Sequence, residues 1–290
     1  MNIGIVILNY NTFNLTKNIV KKCAEMNIFK KIIVVDNNSK EKIPDMLEEY
    51  QNVDIIKLDE NLGYAKGNNI GFKKLDEYGI QYGILANPDV EFDINTIKCL
   101  VNFLDNNKEY CVISSIRGDN SYEDEALQFW NLPNMTECYL ESFYLYRRFN
   151  YKKRRIKSVN ILRNNKSSFV EVEVVPGAFF AVDLNKFKKV GYLDEHTFLW
   201  YEENCLAQKV KKFGYKEAIL KEAYYYHNHG SKVHGNKLFF RYNLSKEYYF
   251  REYLTKNNFA NFILKILDGY SNFEQSILNI VGKKIKRRLK

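Results

Sequence analysis

The sequence predicts an α/β fold with a mostly parallel central sheet flanked by helices, followed by a helical C-terminal extension. Short runs of β-branched and aliphatic residues, typical of strands buried on both faces, alternate with segments whose apolar residues recur every three or four positions. Repeated strand and helix patterns of this kind indicate a doubly wound sheet. Hydrophobic residues make up 46% of the 290-residue chain, which is enough apolar surface for a sizeable core.

Five predicted strands lie in the first 115 residues, at 3–8, 31–36, 53–58, 82–87 and 110–115. Helical spacing between them is shown by Leu15, Ile19, Val20 and Cys23, by Met46, Leu47 and Tyr50, and by Ile94, Ile97, Val101 and Leu104. Loops rich in Asn and Asp follow four of these strands. Because ligands of open α/β sheets bind beyond the carboxyl ends of the strands, the four loops predict one shared site, although any single loop could be ordinary turn chemistry.

The pattern weakens in residues 119–168, where aromatic residues mix with a basic cluster and no clean period is visible. This region predicts a variable insertion or a flexible lobe. Order returns at 169–183, where alternating valines indicate a half-exposed strand, followed by a Pro-Gly turn and a buried apolar run.

Positive charge is concentrated in two places. The formal net charge is +9, and the last eight residues hold six Lys or Arg and no acid. Residues 147–157 hold seven basic residues out of eleven. A solvated surface is the plain interpretation, and a membrane surface or an anionic ligand is the alternative. Nucleic acid is not expected as a partner, because no recognition motif accompanies the charge.

The cysteine content and the N-terminus predict a cytoplasmic location. Five scattered cysteines without a CxxC pair indicate free thiols rather than disulfides or a zinc site. The first residues resemble a strand, without the basic leader or cleavage site of a signal peptide, and no run of eighteen apolar residues occurs.

The loop NLGYAKGNNIGF spaces Gly63, Gly67 and Gly71 four residues apart at the start of a predicted helix. Glycines at these positions allow a ligand or a neighbouring backbone to approach closely, and a helix N-terminus favours an anion. The spacing is neither GxGxxG nor that of a P-loop, which disfavours a dinucleotide or P-loop site.

Two acidic sequences follow apolar runs. Asn87, Pro88 and Asp89 end the fourth predicted strand, and Glu202 and Glu203 begin a helix whose apolar stripe includes Leu206 and Val210. Two acids at a helix start most often stabilise the helix dipole when they are seen alone. They follow the sequence VGYLDE and an aromatic run, and this context points to a more specific role.

Seven motifs, VILNYNT, VVDNNS, NLGYAKGNN, NPDV, PGAFF, VGYLDE and YEEN, occur in this order. Together they resemble the family-2 inverting glycosyltransferases with the GT-A fold, and the chain looks closest to the bacterial rhamnosyltransferase-like branch. The resemblance spans residues 3–229. It implies a nucleotide-diphosphate sugar donor of the UDP or dTDP type.

By position in these motifs, the resemblance implies the following donor-binding residues: Asn9, Tyr10, Asn11, Asp36, Asn61, Gly63, Gly67, Asn68 and Asn87. The DxD motif of the family falls on 87–89, so Asp89 would hold a Mn²⁺ or Mg²⁺ ion against the diphosphate. His227, which precedes a Gly-Ser pair, matches the place of a histidine that meets the metal or the diphosphate, with His229 next. A surface histidine cluster without a ligand is the alternative.

The Glu-Asp pair that ends in the general base of the family falls on Glu202 and Glu203. The chain departs from the pattern because Glu203 stands where Asp is usual, and Glu202 could supply the carboxylate instead. Cys205 replaces a downstream acid, which puts hydrogen bonding to the acceptor in doubt rather than the chemistry.

The resemblance therefore implies a metal-dependent inverting glycosyltransferase acting on a cell-surface glycan or a lipid-linked oligosaccharide. A non-catalytic glycan-binding or scaffold protein of the same fold and a sugar nucleotidyltransferase are the alternatives. The latter should show a Gly-rich, basic loop after the first strand, and LNYNTFNLTKN is not one. The expected domains are 1–255, with a nucleotide-sugar half (1–115) and an acceptor half (116–255), and a basic amphipathic extension (256–290).

The extension places Phe259, Phe262, Ile263, Ile266 and Leu267 on one apolar stripe, and Ile277, Ile280 and Val281 on another, before the basic end. This pattern predicts either a helix that binds the inner face of the cytoplasmic membrane or a helix packed on the catalytic domain.

Overall fold

The computed structural model describes residues 2–41, 49–118, 126–227 and 236–288. The strands are β1 (Ile3–Asn9), β2 (Lys31–Asp36), β3 (Val53–Lys57), β4 (Tyr82–Ala86), β5 (Val90–Phe92), β6 (Tyr110–Gly118), β7 (Phe169–Val172), β8 (Phe179–Asp183) and β9 (Lys216–His227). The helices are α1 (Phe13–Glu25), α2 (Tyr64–Glu77), α3 (Ile94–Asn106), α4 (Met135–Leu140), α5 (Tyr144–Asn164), α6 (Leu184–Lys189), α7 (Glu202–Lys212), α8 (Asn236–Tyr249) and α9 (Asn258–Arg288), with a π-helix at Phe250–Leu254.

The nine strands in the described residues belong to one mixed sheet in the order β3-β2-β1-β4-β8-β6-β9-β5, with β7 also paired to β9. The four strands from β3 to β4 are parallel, as the repeated strand and helix pattern predicted. Strand β8 is inserted antiparallel between β4 and β6. The two predicted halves therefore share one sheet, and the expected boundary at 115–116 falls inside β6.

Two apolar layers cover the sheet. One face packs against α1 and α3 through residues such as Ile19 and Leu100. The other packs against α2, α6 and α7 through residues such as Phe72 and Leu206. Asp93 caps α3 by accepting a hydrogen bond from the Thr96 amide at 2.7 Å, which satisfies one of the free amides at that helix start.

Residues 126–168 fold into α4 and α5. The described part of 119–168 therefore contains two helices that the sequence pattern did not predict. The period is missing because apolar burial is confined to the end of α5, at Val159 and Leu162, while polar contacts hold its start. The Arg154 guanidinium lies 3.0 Å from the Glu141 carboxylate, and the Tyr144 amide donates to Glu274 at 3.0 Å.

The C-terminal extension forms α9, which packs on the domain through Leu264, Asp268 and Ser271. The Lys246 ammonium of α8 lies 2.6 Å from the Asp268 carboxylate, and both side chains are buried. The helical repeat predicted around Met46 lies outside the described residues apart from Tyr50.

None of the helices in the described part of the chain combines the length and apolar character needed to cross a membrane. The five cysteines are free thiols, as predicted, and four of them are buried.

Candidate active site

Asn9, at the end of β1, joins the first two loops of the site. Its amide nitrogen donates to Asp36 and to Ser39, both at 2.9 Å, and its carbonyl oxygen accepts from Thr12 and Thr16. These four bonds use the full hydrogen-bonding capacity of a buried asparagine side chain. Asn9 therefore holds the loops after β1 and β2 in position without lining the surface of the predicted base pocket. The neighbouring residues face outward: Tyr10 is 47% exposed, and Asn11 is exposed with a φ of 57°.

Asn37 performs the same task for the next loop. Its side chain donates to the Asn61 side-chain carbonyl (Oδ1) at 2.9 Å and accepts from the Leu62 amide at 2.8 Å. The same Asn61 oxygen also accepts from the Gly63 amide at 2.9 Å. This bonding connects the end of β2 to the turn that begins α2.

Gly63 is required by its backbone, because it has a φ of 85° and a Cβ there would lie 2.6 Å from the Phe198 carbonyl oxygen. Gly67 serves packing, since a Cβ there would lie 2.7 Å from a Leu8 methyl. Asn68 is buried and donates to the Tyr64 carbonyl at 2.9 Å. Of the four predicted donor contacts in this loop, Asn61 and Gly63 lie at the turn that begins the helix, whereas Gly67 and the Asn68 side chain pack within the protein.

The NPDV loop and the end of β9 meet across the sheet. Val90 of β5 pairs with His227 of β9, which brings the preceding Asp89 beside the imidazole. The Asp89 carboxylate and His227 Nε2 are 3.1 Å apart. The two predicted metal ligands, 138 residues apart in the chain, are therefore adjacent. His229 lies outside the described residues.

Glu202 and Glu203 form the first turn of α7. Burial raises the pKa of both carboxyls, and the charge of Glu203 raises that of Glu202 further. Glu202 is 5% exposed and its Oε2 has no hydrogen-bond partner among the described residues, whereas Glu203 is half-buried. The structure thus leaves Glu203 more accessible than Glu202.

The backbone just before these acids is strained. Trp200 and Tyr201 both have a φ of 67°, a left-handed conformation that costs on the order of 1–3 kcal/mol for a residue other than glycine. The Tyr201 hydroxyl donates to Glu141 at 2.6 Å, and this bond holds the strained turn. Strain of this kind clusters at functional sites, which makes the start of α7 a candidate catalytic position.

The Pro-Gly loop before β8 lies against the acids. The Gly177 amide donates to Glu203 Oε1 at 3.2 Å, and a Cβ at Gly177 would lie 2.5 Å from the same oxygen. The Val175 amide donates to the buried Glu217 carboxylate at 2.9 Å. Glycine at 177 is therefore needed for the close approach of Glu203.

Tyr64 links the two acidic regions. Its hydroxyl lies 2.8 Å from the side-chain Oδ1 of Asn87 and 2.7 Å from the backbone carbonyl oxygen of Gly177, and it can donate to either. Burial raises the pKa of Tyr64, and the charges of Glu202, Glu203 and Asp89 raise it further. The NPDV loop, Gly177 and the acids of α7 therefore surround one neutral phenol.

Sequence reasoning missed Asn37, Tyr64, Glu141 and Glu217 as supports of the site. Asn37 and Tyr64 lie within the motifs VVDNNS and NLGYAKGNN, so the motifs themselves were a signal for them. Glu141 and Glu217 carry no local signal, because their partners are distant in the chain.

The chain is similar in sequence to known glycosyltransferases. The family model of glycosyl transferase family 2 matches residues 4–169, more than half of the chain. The chain belongs to glycosyl transferase family 2. The resemblance identified from the seven motifs is confirmed.

Two curated relatives of this family-2 chain are glycosyltransferases. The chain is 24% identical over 202 residues to the low-salt glycan biosynthesis hexosyltransferase Agl10 of Haloferax volcanii, covering 69% of this chain and 59% of that protein. It is 24% identical over 232 residues to the dTDP-rhamnosyl transferase RfbF of Shigella flexneri, covering 80% of this chain and 70% of that one. The chain thus spans less than two thirds of the length of the first relative.

The fold is also that of solved glycosyltransferases. The mannosyltransferase PcManGT of Pyrobaculum calidifontis, in complex with GDP-Man and Mn²⁺, superposes with a TM-score of 0.58 at 11% identity, covering 98% of this chain and 80% of that one. The predicted GT-A fold is confirmed.

The site fits a divalent cation by the chemistry of its donors. The Asp89 carboxylate and the His227 imidazole lie 3.1 Å apart. The charges of Asp89, Glu202 and Glu203 all act on the Tyr64 hydroxyl, so these carboxyl groups belong to one region. Within the described residues no group of three or more His, Cys, Asp or Glu side chains could hold a metal by itself. A cation here would need further oxygen ligands, and diphosphate oxygens are suitable hard ligands.

Proposed function

We propose that this family-2 chain is a metal-dependent inverting glycosyltransferase that moves a sugar from a nucleotide-diphosphate sugar to an acceptor hydroxyl. One observation carries the proposal. The Asp89–His227 pair and Glu203 are connected through Tyr64. The Tyr64 hydroxyl lies 2.8 Å from the side-chain oxygen of Asn87, two residues before Asp89, and 2.7 Å from the carbonyl oxygen of Gly177, whose amide donates to Glu203. Brought together in this way, they form one site with separate donor and base sides.

The donor nucleotide occupies the loops after β1 and β2 in this proposal. Tyr10 and Asn11 contact the base or ribose, since they are exposed, and Asn9 holds Asp36 and the loop in position. The diphosphate lies at the start of α2, beside Gly63, where the helix dipole favours an anion. The donor is of the UDP or dTDP type.

Asp89 and His227 hold the cation, Mn²⁺ or Mg²⁺, with Asn87 beside them. When bound, the ion neutralises diphosphate charge and stabilises the leaving group. Pro88 restricts the turn, and the β5–β9 pairing keeps the carboxylate and the imidazole at hydrogen-bonding distance.

Glu203 is the general base. The acceptor O–H bond breaks as its proton passes to the Glu203 carboxylate, the acceptor oxygen bonds to the anomeric carbon, and the bond from that carbon to the diphosphate oxygen breaks on the opposite face. Configuration inverts. The raised pKa of Glu203 makes its carboxylate a stronger base, and the Gly177 amide orients it.

The acceptor is a hydroxyl of a cell-surface glycan or a lipid-linked oligosaccharide, and the chain acts in the cytoplasm, at the inner face of the membrane. Its basic C-terminal segment attracts an anionic leaflet. Side chains after residue 277 lie outside the described ones, so this part of the proposal rests on the sequence. The catalytic domain ends at residue 255, between the π-helix and α9.

The test is a thermal-shift panel of UDP-, dTDP- and GDP-sugars with and without Mn²⁺, followed by product analysis with the donor that stabilises the protein most. A bound ligand raises the melting temperature by mass action. We expect stabilisation by one donor class that is larger with Mn²⁺, and a product of inverted configuration.

Donor binding without transfer or hydrolysis would identify a non-catalytic glycan-binding protein. Synthesis of a sugar nucleotide from a sugar phosphate and a nucleotide triphosphate would identify a nucleotidyltransferase. Either result would overturn the proposal.

A further inference from the structure

Helix α5 carries an unusual combination of charge and apolar exposure. It contains eight Lys or Arg residues and neither Asp nor Glu. Leu145, Phe149 and Ile156 are 62%, 70% and 47% exposed on its outer side. Phe149 and Ile156 border a surface groove of about 850 Å³ that is also lined by Lys152 and Lys153. Proposed donor and base residues lie elsewhere, so the function proposed above does not account for this surface.

Four basic residues remain available on this side of α5. Arg148, Lys152, Lys153 and Lys157 are exposed, and none of them forms an ion pair with another residue in the described part of the chain. By contrast, Arg154 turns inward to Glu141. The outer side of α5 therefore presents positive charge interleaved with apolar side chains.

Helix α9 presents a second apolar stripe in a fixed orientation. Its inner side is held by the buried Lys246–Asp268 pair and by Leu264. Its outer side carries large apolar residues at intervals of three and four, all at least 44% exposed: Phe259, Phe262, Ile266, Tyr270, Phe273 and Ile277. Monomeric soluble proteins rarely leave an apolar strip of this length open to water.

The two surfaces adjoin. The rings of Phe143, which precedes α5, and Tyr270 of α9 are 5.9 Å apart, and both side chains are exposed. On their inner sides the two helices are joined by a second contact, in which the Arg147 guanidinium of α5 donates to the Ser271 hydroxyl of α9 at 3.1 Å. We call this surface, formed by Leu145, Phe149 and Ile156 with Phe143 and the α9 stripe, the α5–α9 face.

We infer that the α5–α9 face is a docking surface for an anionic lipid bilayer, with α5 supplying the charge and both helices supplying the apolar contact. Amphipathic helices with Lys and Arg beside Phe and Leu lie in the interfacial plane of membranes. The occupant is negatively charged, because a second copy of this chain would place the exposed Arg148, Lys152, Lys153 and Lys157 against the same four cations of the other copy. The exposed rings, such as those of Phe149, Phe259 and Phe262, would insert below the lipid headgroups and bury their apolar surface there.

The face is tied to the catalytic helix, and this link rests on the proposed function. The Glu141 carboxylate accepts from Arg154 of α5 at 3.0 Å and from the Tyr201 hydroxyl at 2.6 Å. Tyr201 directly precedes Glu202 and Glu203. Docking α5 on the bilayer holds the proposed base at a constant height above it, where a lipid-linked acceptor hydroxyl is presented.

The test is co-sedimentation of the full chain with acceptor-free vesicles of phosphatidylcholine, with or without phosphatidylglycerol. One variant removes charge (Lys152→Gln with Lys153→Gln) and one removes apolar contact (Leu145→Ser with Phe149→Ser). Leu15→Ser and Lys98→Gln are the matched controls, because α1 and α3 pack on the opposite side of the sheet. All substituted side chains are exposed or point outward, so the fold should persist, as circular dichroism can verify.

We expect the wild type and both controls to pellet with the phosphatidylglycerol vesicles and less with phosphatidylcholine alone. The charge variant should bind about 30-fold more weakly, since each basic residue near an anionic surface contributes roughly a fivefold factor. The apolar variant should lose affinity for the vesicles by a factor of about ten at most.

Three results would overturn the inference: variants that pellet like the controls, equal binding to both vesicle types, or a wild-type dimer that ignores vesicles and dissociates in the α5 variants. The last result would assign the face to a second copy of the chain. Because the vesicles contain no donor or acceptor, vesicle binding is independent of catalysis. Transfer to a soluble acceptor, measured in parallel, tests the proposed function separately.

Discussion

Two groups of buried carboxylates in this molecule differ in how their charge is balanced. Asp268 lies 2.6 Å from the Lys246 ammonium, and Glu141 lies 3.0 Å from the Arg154 guanidinium. Glu202 and Glu203 lie side by side, and each raises the free energy of ionising the pair. The first group connects helices, whereas the second faces the candidate site.

The difference is that the carboxylates of Asp268 and Glu141 are paired with cations in the folded protein, whereas those of Glu202 and Glu203 have no such partner among the described residues. The attraction within a buried ion pair of good geometry offsets the free-energy cost of removing two charges from water. Removing one partner leaves the other charge buried without compensation, which destabilises the fold. Two adjacent acids without a basic partner keep high pKa values, which suits a residue that must accept a proton. The comparison predicts that substitutions in the first group affect stability, whereas those in the second affect activity.

The largest effect is expected for Glu203→Gln. It should lower the transfer rate by about 10²- to 10⁴-fold, because the general base is lost. Donor binding should persist, and the melting temperature should not fall, because a buried charge is removed. Rate measurements at saturating donor, with thermal unfolding in parallel, check this.

Glu202→Gln is the matched control and should retain most of the activity. If Glu202→Gln is inactive and Glu203→Gln is active, the assignment within the pair is reversed.

The structural group should respond in the opposite way. Lys246→Met should lower the free energy of unfolding by about 3–5 kcal/mol, because Asp268 is left buried without its cation. The rate per folded molecule should change little. Urea unfolding measures the first quantity, and activity normalised to the folded fraction measures the second.

The double variant Lys246→Met with Asp268→Leu should recover much of that stability, since it removes both charges. A single variant as stable as wild type would show that the pair contributes nothing.

Asp89→Asn tests the third acid of the site. In the proposal, Asp89 binds a divalent cation together with the diphosphate of the donor. Turnover stimulated by Mn²⁺ should fall roughly 100-fold or more, since a metal ion supplies several kcal/mol of charge stabilisation. The fold should remain, because Asp89 lies in a loop. Activity titrated with Mn²⁺ provides the measurement, and near-normal stimulation would remove Asp89 from the metal site.

Tyr64→Phe should have a smaller effect, about five- to tenfold on kcat. The hydroxyl can bond the Asn87 side-chain oxygen or the Gly177 carbonyl oxygen, and one hydrogen bond contributes about 1 kcal/mol net. Tyr78→Phe is the control, because its hydroxyl bonds Asp54 on the surface, outside the site. A kcat unchanged from wild type would show that Tyr64 does not align the two loops.

The smallest effect is the pH dependence of stability. Burial raises the pKa of Glu203 above the ordinary 4.5, so the folded protein binds this proton more tightly than the unfolded chain. The resulting stabilisation is complete below pH 4.5 and is lost as the pH rises to the raised pKa. Urea unfolding across this range should show the decline, and Glu203→Gln should make it shallower, while transfer by the wild type rises over the same range. A decline of equal slope in Glu203→Gln would assign it to other groups such as Glu202 and Glu217, which shift in the same direction.

The parallel part of the sheet could be predicted because its signals are local. The interiors of strands β1, β2 and β4 are apolar, as burial on both faces requires, and polar residues begin at or directly after the strand ends. The helix start at Glu202 was predicted from the stripe that follows it. In contrast, the inner side of α5 is held largely by polar contacts, so no hydrophobic period marked it as a helix.

The supports of the site could not be predicted in the same way. Tyr64 reaches a carbonyl 113 residues away, and Tyr201 reaches Glu141 across 60 residues. No local pattern encodes such partners. The same limit applies to the C-terminal extension, whose inner side is Leu264, Asp268 and Ser271, while much of the predicted apolar stripe faces outward.

The sequence by itself determined the α/β class, the order of the motifs, the family, and the acids and histidine that carry the proposed chemistry. These depend on residue type and on spacing within single elements, where periodicity and turn preferences act directly. Only the tertiary structure decided that β8 enters between β4 and β6, that Asp89 meets His227, and that Glu203 is more accessible than Glu202. The physical reason is that strand pairing and burial depend on which distant segments share one core, and no residue carries that information alone.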